Sequence, residues 1–369
     1  VKIAVVGAGL YGSTVAHLLK NSHTVHVYEQ SQHIGGNVRS YYDEAIGCHV
    51  SEHGAHIFHT NSKEIWDFVN QFTAFNSYQH YVKGLTSSGR IIDLPFGMSM
   101  FSQVLGLNTP SEARRYFNQL HGGQDLNALD IESWCMKNIG ETLYRTAVKD
   151  YTEKQWGRPC SDLSSDIIKR LPLRFSYDST YFNNAKYQGM PVCGYQHIIE
   201  SMLSDVPLFL GNDVGSREIE DLDKNYDCVF FSGALDSLFE YCLGELPYRG
   251  LKFVDTYCST DEGTGAPVIN DLTVAKHTRK IDHKMFYPDL KDTGTRLITT
   301  EFPAPWVRGQ HRYYPVRDND SSTLYAKYKE LAESKLPNTI VGGRLGAFRY
   351  YDMDQVIGMA MADARKVTS

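Results

Sequence analysis

Residues 7–12 read Gly7-Ala8-Gly9-Leu10-Tyr11-Gly12, and Glu29 follows 17 residues after Gly12. Glycines at this spacing suit a phosphate. Gly7 permits a tight turn, Gly9 lets the backbone approach a pyrophosphate, and Gly12 lets a helix pack close to a sheet. A helix opening there aims unpaired N–H groups and a partial positive charge at the anion. Glu29 stands where a carboxylate can accept bonds from ribose hydroxyls. A second glycine pair, Gly35-Gly36, comes six residues after Glu29 and is followed by Asn37 and Arg39. Arginine supplies further phosphate chemistry: Arg170 and Arg174, with Pro172 between them, and Arg279 within His277-Thr278-Arg279-Lys280. A guanidinium fork makes paired, charge-assisted bonds to a diphosphate, although Pro172 argues against one continuous helix through Arg170 and Arg174.

The stretch Tyr151-Thr152-Glu153-Lys154-Gln155-Trp156-Gly157-Arg158 mixes polar and aromatic residues and ends in glycine and arginine. That mixture is odd for a solvated face, and it is read as a loop at a ligand; the plain alternative is a surface loop with a chance tryptophan. Tyr313-Tyr314-Pro315 and Arg349-Tyr350-Tyr351-Asp352 join it. The chain has 24 Tyr, 17 Phe and 4 Trp. Core packing would absorb many of these, but tyrosines in a cleft offer a stacking face and a hydroxyl together. His49, His53, His56 and His59 flank Gly54. His56 and His59 are three apart, a spacing that suits a metal, yet no third ligand can be placed and no metal site is expected. A packed or cofactor-adjacent role is the expectation for them. There is no Gly-x-Ser-x-Gly and nothing specifies a nucleophile triad. The chain thus offers phosphate chemistry without an evident protein nucleophile.

The elements that must position these residues follow from pattern. Ile3–Val6 is an apolar run fit for a buried parallel strand, Ser13 to Lys20 has helical spacing, and Val25–Tyr28 makes a second strand ending at Glu29. A strand at about 46–51 precedes a helix beginning near Ser62, with Asn61 or Ser62 as its N-cap. Residues 76–94 read as extended segments with a turn at Ser87-Ser88-Gly89. Pro110 opens a helix through Ser111–Arg115, and helical spacing recurs at 130–139, 140–150 and 161–170, giving a helical insertion. Extended structure returns at 181–194, a helix at 195–203, and strands at 207–210 and 228–231. Residues 247–315 are strand-rich. A helix at 323–335, a strand running into Gly342-Gly343-Arg344 and a helix at 354–366 finish the chain, which leaves the nucleotide unit and re-enters it.

Composition excludes several classes. The chain has 369 residues, 42% hydrophobic and 22% charged, as expected of a globular protein with a sizeable core. A net charge of −6 gives no reason to expect nucleic acid or an anionic membrane as partner. Seven cysteines with no C-x-x-C pair read as reduced thiols in a cytoplasmic protein. No stretch approaches the ~20 apolar residues of a membrane span. Lys2 before Ile3–Val6 is too short a pattern for a signal peptide and runs into the glycine turn.

A glycine pair just past the acid is a feature of flavoproteins that bind FAD, where Arg39 would help hold the diphosphate. More specifically, the chain resembles the bacterial UDP-galactopyranose mutase family nearly end to end. The resemblance rests on Gly54-Ala55-His56-Ile57-Phe58-His59-Thr60, Tyr151–Gly157, Ile168-Lys169-Arg170-Leu171-Pro172, Tyr187-Gln188-Gly189 with Pro191 and Gly194-Tyr195, Tyr313-Tyr314-Pro315-Val316, Gly342-Gly343-Arg344-Leu345 and Tyr350-Tyr351-Asp352-Met353. It implies an α/β fold: a discontinuous FAD-binding Rossmann-like domain (1–75, 195–240, 317–369), an antiparallel sheet domain (76–96, 181–194, 241–316) and a helical-bundle domain with a mobile lid (97–180). It implies that Arg170 and Arg279 bind the UDP diphosphate, assisted by Tyr181, Tyr350 and one of Tyr313 or Tyr314. Tyr151, Thr152 and Trp156 would lie near the uridine and the lid, and Asn270 near the sugar. His56 would lie beside the flavin, with His59 close behind. Arg344 and the backbone around Asp352 and Met353 would hold FAD, as would Gly7, Gly9, Gly12, Glu29, Gly35, Gly36, Asn37 and Arg39.

The implied reaction converts UDP-galactopyranose to UDP-galactofuranose, for cell-surface glycans, without net redox change. N5 of the reduced flavin attacks the anomeric carbon, UDP leaves, and the sugar recloses through a different hydroxyl before UDP returns. The cofactor would be the nucleophile the chain lacks. A homodimer is the implied assembly. Two departures fall near the sugar: His80-Tyr81-Val82 stands where many relatives carry Asn-Ser-Pro, and residues 271–278 differ from the commoner version. Other outcomes consistent with the glycine turn are a mutase for UDP-N-acetylgalactosamine or a dTDP-deoxyhexose, an amine-oxidase-like flavin oxidoreductase, and a non-catalytic nucleotide-sugar binder.

Overall fold

The computed structural model describes residues 1–123, 125–169 and 171–368. A five-stranded parallel sheet carries the nucleotide motif. Its order is Thr339–Val341, Cys228–Phe231, Lys2–Val6, Thr24–Glu29 and Leu208–Leu210. The central strands are buried on both faces, as a parallel sheet covered by helices must be. Ile3 and Val5 enter one core with Val25, Val27 and Phe230. Ala4 and Val6 enter a second core with Val229 and Phe231. On the first face, helix Leu10–Leu19 packs against Gly194–Leu203 and Met353–Thr368. The Tyr11 hydroxyl donates to Asp363 Oδ2 at 2.8 Å, pinning the first helix to the last.

The second sheet has seven strands, in the order Tyr314–Pro315, Tyr248–Ser259, Thr295–Pro305, Arg279–Asp282, Val268–Asp271, Val82–Leu85 and Ile91–Leu94. It is antiparallel at every junction except one: Val268–Asp271 runs parallel to Val82–Leu85. The expected antiparallel sheet thus carries one parallel junction. The chain makes a long excursion between the two strands, so no tight hairpin dictates their direction.

Most of that excursion's first half is helical. Pro110–His121 begins with a capping box in which Thr109 and Glu112 exchange bonds. Ile131–Asn138 and Gly140–Leu143 follow, then a π-helical turn at Tyr144–Val148 and the helix Lys149–Trp156. Here the structure corrects the sequence reading: Tyr151, Thr152 and Trp156 are helical, not part of a loop. The helix ends at Gly157, whose φ of +68° makes it a left-handed C-cap. The polar composition that suggested a loop is instead spent on partners in the second sheet. Ser62, not Asn61, caps Lys63–Val69, its side chain accepting from Ile65 N. No described helix is long and apolar enough to cross a membrane.

Candidate active site

Two glycine turns meet at the end of the parallel sheet. Gly7 has φ +104°, and a Cβ there would lie 2.2 Å from Ser232 Oγ. A Cβ on Gly12 would lie 1.9 Å from Gly7 O, so no side chain fits between the helix and the first strand. Glu29 is tied down by the same turn: its Oε2 accepts from Ala8 N at 2.7 Å and its Oε1 from Ser31 N at 2.8 Å. The second turn brings Gly35 (φ +109°) and Gly36 (φ +52°) against the first, with Gly9 bridged to Gly35. A Cβ on Gly36 would approach Gly9 Cα to 3.3 Å. The facing surfaces are bare backbone, the cradle a diphosphate needs. Arg39 is engaged elsewhere, in an ion pair with Glu52 at 3.0 Å, and Asn37 meets His311.

Arg344 lies beyond this cradle. It donates to Tyr313 O at 2.8 Å and lies 4.2 Å from the Tyr350 ring centre, while its Nε has no partner among the described residues. His56 is next to it in charge terms. Burial holds its pKa down to about 4, and its Nδ1 sits 2.9 Å from Gly54 O. A carbonyl only accepts, so Nδ1 carries the proton and Nε2 is left as an acceptor. His59 stacks on Phe182 at 3.8 Å. The cradle, the orphaned Arg344 Nε and the neutral His56 fit a bound FAD.

The clamp is assembled on the second sheet. Arg279 and Glu301 are cross-strand partners, with Nε and Oε1 3.3 Å apart. Glu301, 2% exposed, also accepts from Thr278 Oγ1 at 3.1 Å. Arg279 Nη2 donates to Tyr151 OH at 3.0 Å. Burial pushes the Tyr151 phenol up to about 12, so it remains a neutral hydroxyl. Tyr314 is within electrostatic reach of both Arg279 and Arg344, and its ring is 5.3 Å from Tyr350 and 6.2 Å from Trp156. Of the tyrosine pair, Tyr314 therefore joins the clamp. Tyr313 faces the other way, its hydroxyl 3.0 Å from His53 Nδ1. Asn270 is the cross-strand neighbour of Arg279, and its buried Oδ1 has no partner among the described residues.

His80 is 5% exposed, with Nδ1 2.9 Å from Tyr78 OH. Its ring lies 5.7 Å from Tyr181 and from Phe182. Burial and the Arg279 charge hold its pKa down to about 3. Thr152 is buried within its helix, and Asp352 and Met353 lie where the last helix begins. Arg170 lies outside the described residues. Arg174 is not a clamp: its Nη1 donates to Thr180 O at 2.6 Å and its Nη2 to Tyr181 O at 2.9 Å, fixing the backbone on which Tyr181 sits. Sequence reasoning missed Glu301, Phe182 and the stacked pair His53–His311, whose rings are 4.5 Å apart. Only Glu301 left a signal, as a lone acid in the strand Leu297–Glu301. Among the described residues, no three His, Cys, Asp or Glu side chains group to hold a metal.

A parallel sheet with two facing glycine turns, joined to a sheet bearing a cationic, tyrosine-lined clamp, defines an FAD-binding Rossmann-like protein with a second ligand site. The family model described as UDP-galactopyranose mutase matches residues 146–350, and that for an NAD(P)-binding Rossmann-like domain matches 5–72. The chain belongs to the UDP-galactopyranose mutase family. It is 34% identical over 373 residues to the dTDP-fucopyranose mutase of Escherichia coli, covering 99% of this chain and 97% of that protein. It is 35% identical over 372 residues to a probable UDP-galactopyranose mutase of Klebsiella pneumoniae, covering 100% and 94%. The fold matches a crystal structure of reduced UDP-galactopyranose mutase with a TM-score of 0.74 at 16% identity, covering 100% and 93%.

Proposed function

We propose that the chain interconverts UDP-galactopyranose and UDP-galactofuranose in an FAD-dependent reaction with no net redox change. The observation that carries this is the clamp: Arg279, held by Glu301 and Tyr151, shares Tyr314 with Arg344 at the edge of the cofactor cradle. A cation fixed there suits a diphosphate that must leave and return, with Arg344 left to the cofactor. FAD would rest on the turns at Gly7–Gly12 and Gly35–Gly36, with Arg344 and the helix start at Asp352 and Met353 closing the site. When reduced and bound, it supplies the nucleophile for the anomeric carbon. Arg279, with Arg170 assigned by family resemblance, neutralises the departing diphosphate. Tyr151 orients the Arg279 fork, and Trp156 with Tyr314 walls off water. His56 keeps its proton on Nδ1 and presents Nε2 as an acceptor. Asn270 Oδ1 and the His80 ring border the sugar. The division into three units, a homodimeric assembly and a cytoplasmic location belong to the same reading.

A second reading, dTDP-fucose as the sugar nucleotide, is favoured by the nearly equal identity to the Escherichia coli enzyme. The test is product analysis of dithionite-reduced enzyme with UDP-galactofuranose, dTDP-fucofuranose and UDP-N-acetylgalactofuranosamine. UDP-galactofuranose is expected to give the highest kcat/KM. His80 and its aromatic neighbours fill the region near C2, and overfilling a packed site costs roughly 1–3 kcal/mol. The N-acetyl sugar should then be slower by about tenfold or more. Faster turnover of the dTDP sugar would install the second reading. Equal activity in oxidised enzyme, or consumption of an electron acceptor, would remove both.

A further inference from the structure

Lys154 shares a helix with Tyr151 and Trp156 but reaches a different partner. Its Nζ donates to Asp271 O at 2.8 Å and Thr273 O at 3.1 Å, and lies 3.3 Å from Asp271 Oδ1. Three donors meet three acceptors, with the lysine side chain 10% and the aspartate 5% exposed. Asp271 is itself a hub. Its Oδ1 accepts from Thr273 N at 2.9 Å and Thr273 Oγ1 at 2.6 Å, and its Oδ2 lies 3.2 Å from His277 Nε2. This carboxylate therefore braces the turn between Asn270 and Arg279, and Lys154 bolts that turn to the helix. The helix follows directly on the π-helical turn at Tyr144–Val148, a distortion of the ordinary helical ladder. At its other end, Arg249 Nε donates to Gln155 O at 3.0 Å.

We propose that Lys154, acting through Asp271, is a positioning residue that fixes the helix Lys149–Trp156 against the turn linking Val268–Asp271 to Arg279–Asp282 and thereby holds Tyr151 on the Arg279 fork. The inference rests on the mutase reading of the clamp. Two bonds join the helix to this pair of neighbouring strands, Tyr151–Arg279 in the cleft and Lys154–Asp271 at the start of the turn that links them. Without the second, the helix is held to this strand pair by the Tyr151–Arg279 bond, with Arg249 gripping only its C-terminal carbonyls, and among the described residues the buried Asp271 carboxylate keeps His277 and Thr273 as side-chain partners. A shift of about 1 Å in a positioned group costs on the order of a hundredfold in rate.

The test is a pair of double-mutant cycles on the FAD-loaded enzyme. Lys154→Met, Asp271→Asn and Tyr151→Phe are made singly, and each of the first two is combined with Tyr151→Phe. Turnover of the reduced enzyme and calorimetric UDP affinity are read in all of them. Lys154→Met should lower turnover by about tenfold to a hundredfold, and Asp271→Asn by less. Tyr151→Phe should cost far less in either background than in the wild type, because the contact it removes is already misplaced. A purely structural lysine would lower thermal stability but leave the Tyr151→Phe loss unchanged. Strictly multiplicative losses, or wild-type turnover in both Lys154→Met and Asp271→Asn, would overturn the proposal. If Lys154→Met fails to fold, the Asp271→Asn cycle decides alone. If the wild type turns over no nucleotide sugar, the mutase reading falls, and the same non-additivity in UDP affinity decides the positioning role by itself.

Discussion

In the cofactor cradle, the groups facing the ligand are backbone atoms from two turns less than forty residues apart, Gly7–Gly12 and Gly35–Gly36. In the clamp, they are side-chain tips from Tyr151, Arg279, Tyr314 and Tyr350, gathered from the second sheet, the helical region and the segment before the last helix. The cradle leaves no room for a Cβ at Gly7 or Gly12, whereas the clamp depends on charges and hydroxyls held at the ends of long side chains. One site is therefore broken by sterics and the other by electrostatics.

The largest effect should come from Gly12→Ala. Its Cβ would sit 1.9 Å from the Gly7 carbonyl oxygen, an atom that cannot rotate away. The variant is expected to purify without FAD, read from the ratio of flavin to protein absorbance; normal flavin content would show that the two turns can separate. Arg279→Ala should do the reverse, keeping the flavin spectrum while losing turnover by on the order of a hundred- to a thousandfold, the usual cost of about 2.7–4 kcal/mol for a transition-state contact. Loss of FAD in that variant would erase the distinction between the two sites.

Acid should separate them further. His53, His56 and His311 near the cradle have pKa values held down to about 4 by burial. The unfolded chain, with histidine near 6.5, binds more protons between those values. Stability is thus fully present above about pH 6.5 and is lost as pH falls toward 4. The melting temperature should drop between pH 7.5 and 5, and by less in His311→Asn. An unchanged melting temperature over that range would mean these rings are hydrated. The smallest effect concerns Trp156, which lies 6.2 Å from Tyr314. UDP should alter intrinsic fluorescence by changing the surroundings of a helix already in place, and Trp156→Phe should remove much of the response. A full response in that variant would assign it to Trp66, Trp134 or Trp306.

The same contrast explains what could be read from sequence. The cradle was legible because its glycines and Glu29 lie at fixed local spacings, and each is required by a backbone approach. The strands at 3–6, 25–28 and 228–231 were legible from unbroken apolar runs. The helix at 149–156 was not, because its polar face is satisfied by Asp271, Arg279 and Arg249, residues far away in the chain. Helix Ser216–Asn225 went unread for a related reason: it is largely polar, with only Ile219 and Leu222 reaching the core. Glu301 looked like the end of an apolar strand until its cross-strand partner was known to be Arg279. His53 and His311 are separated by most of the chain, and no local spacing announces their stacking.

The order of the parallel sheet has a consequence for biogenesis. Its edge strand Thr339–Val341 pairs with Cys228–Phe231, and Arg344 and the helix that pins Tyr11 come later still. A nascent chain whose residues beyond 335 are still within the ribosome has its glycine turns but not the strand, arginine or helix that complete the cradle. Flavin loading therefore waits for the emergence of the last helix, and translation of the long intervening excursion sets the interval during which the nucleotide-binding half stands, partly built, without its other half.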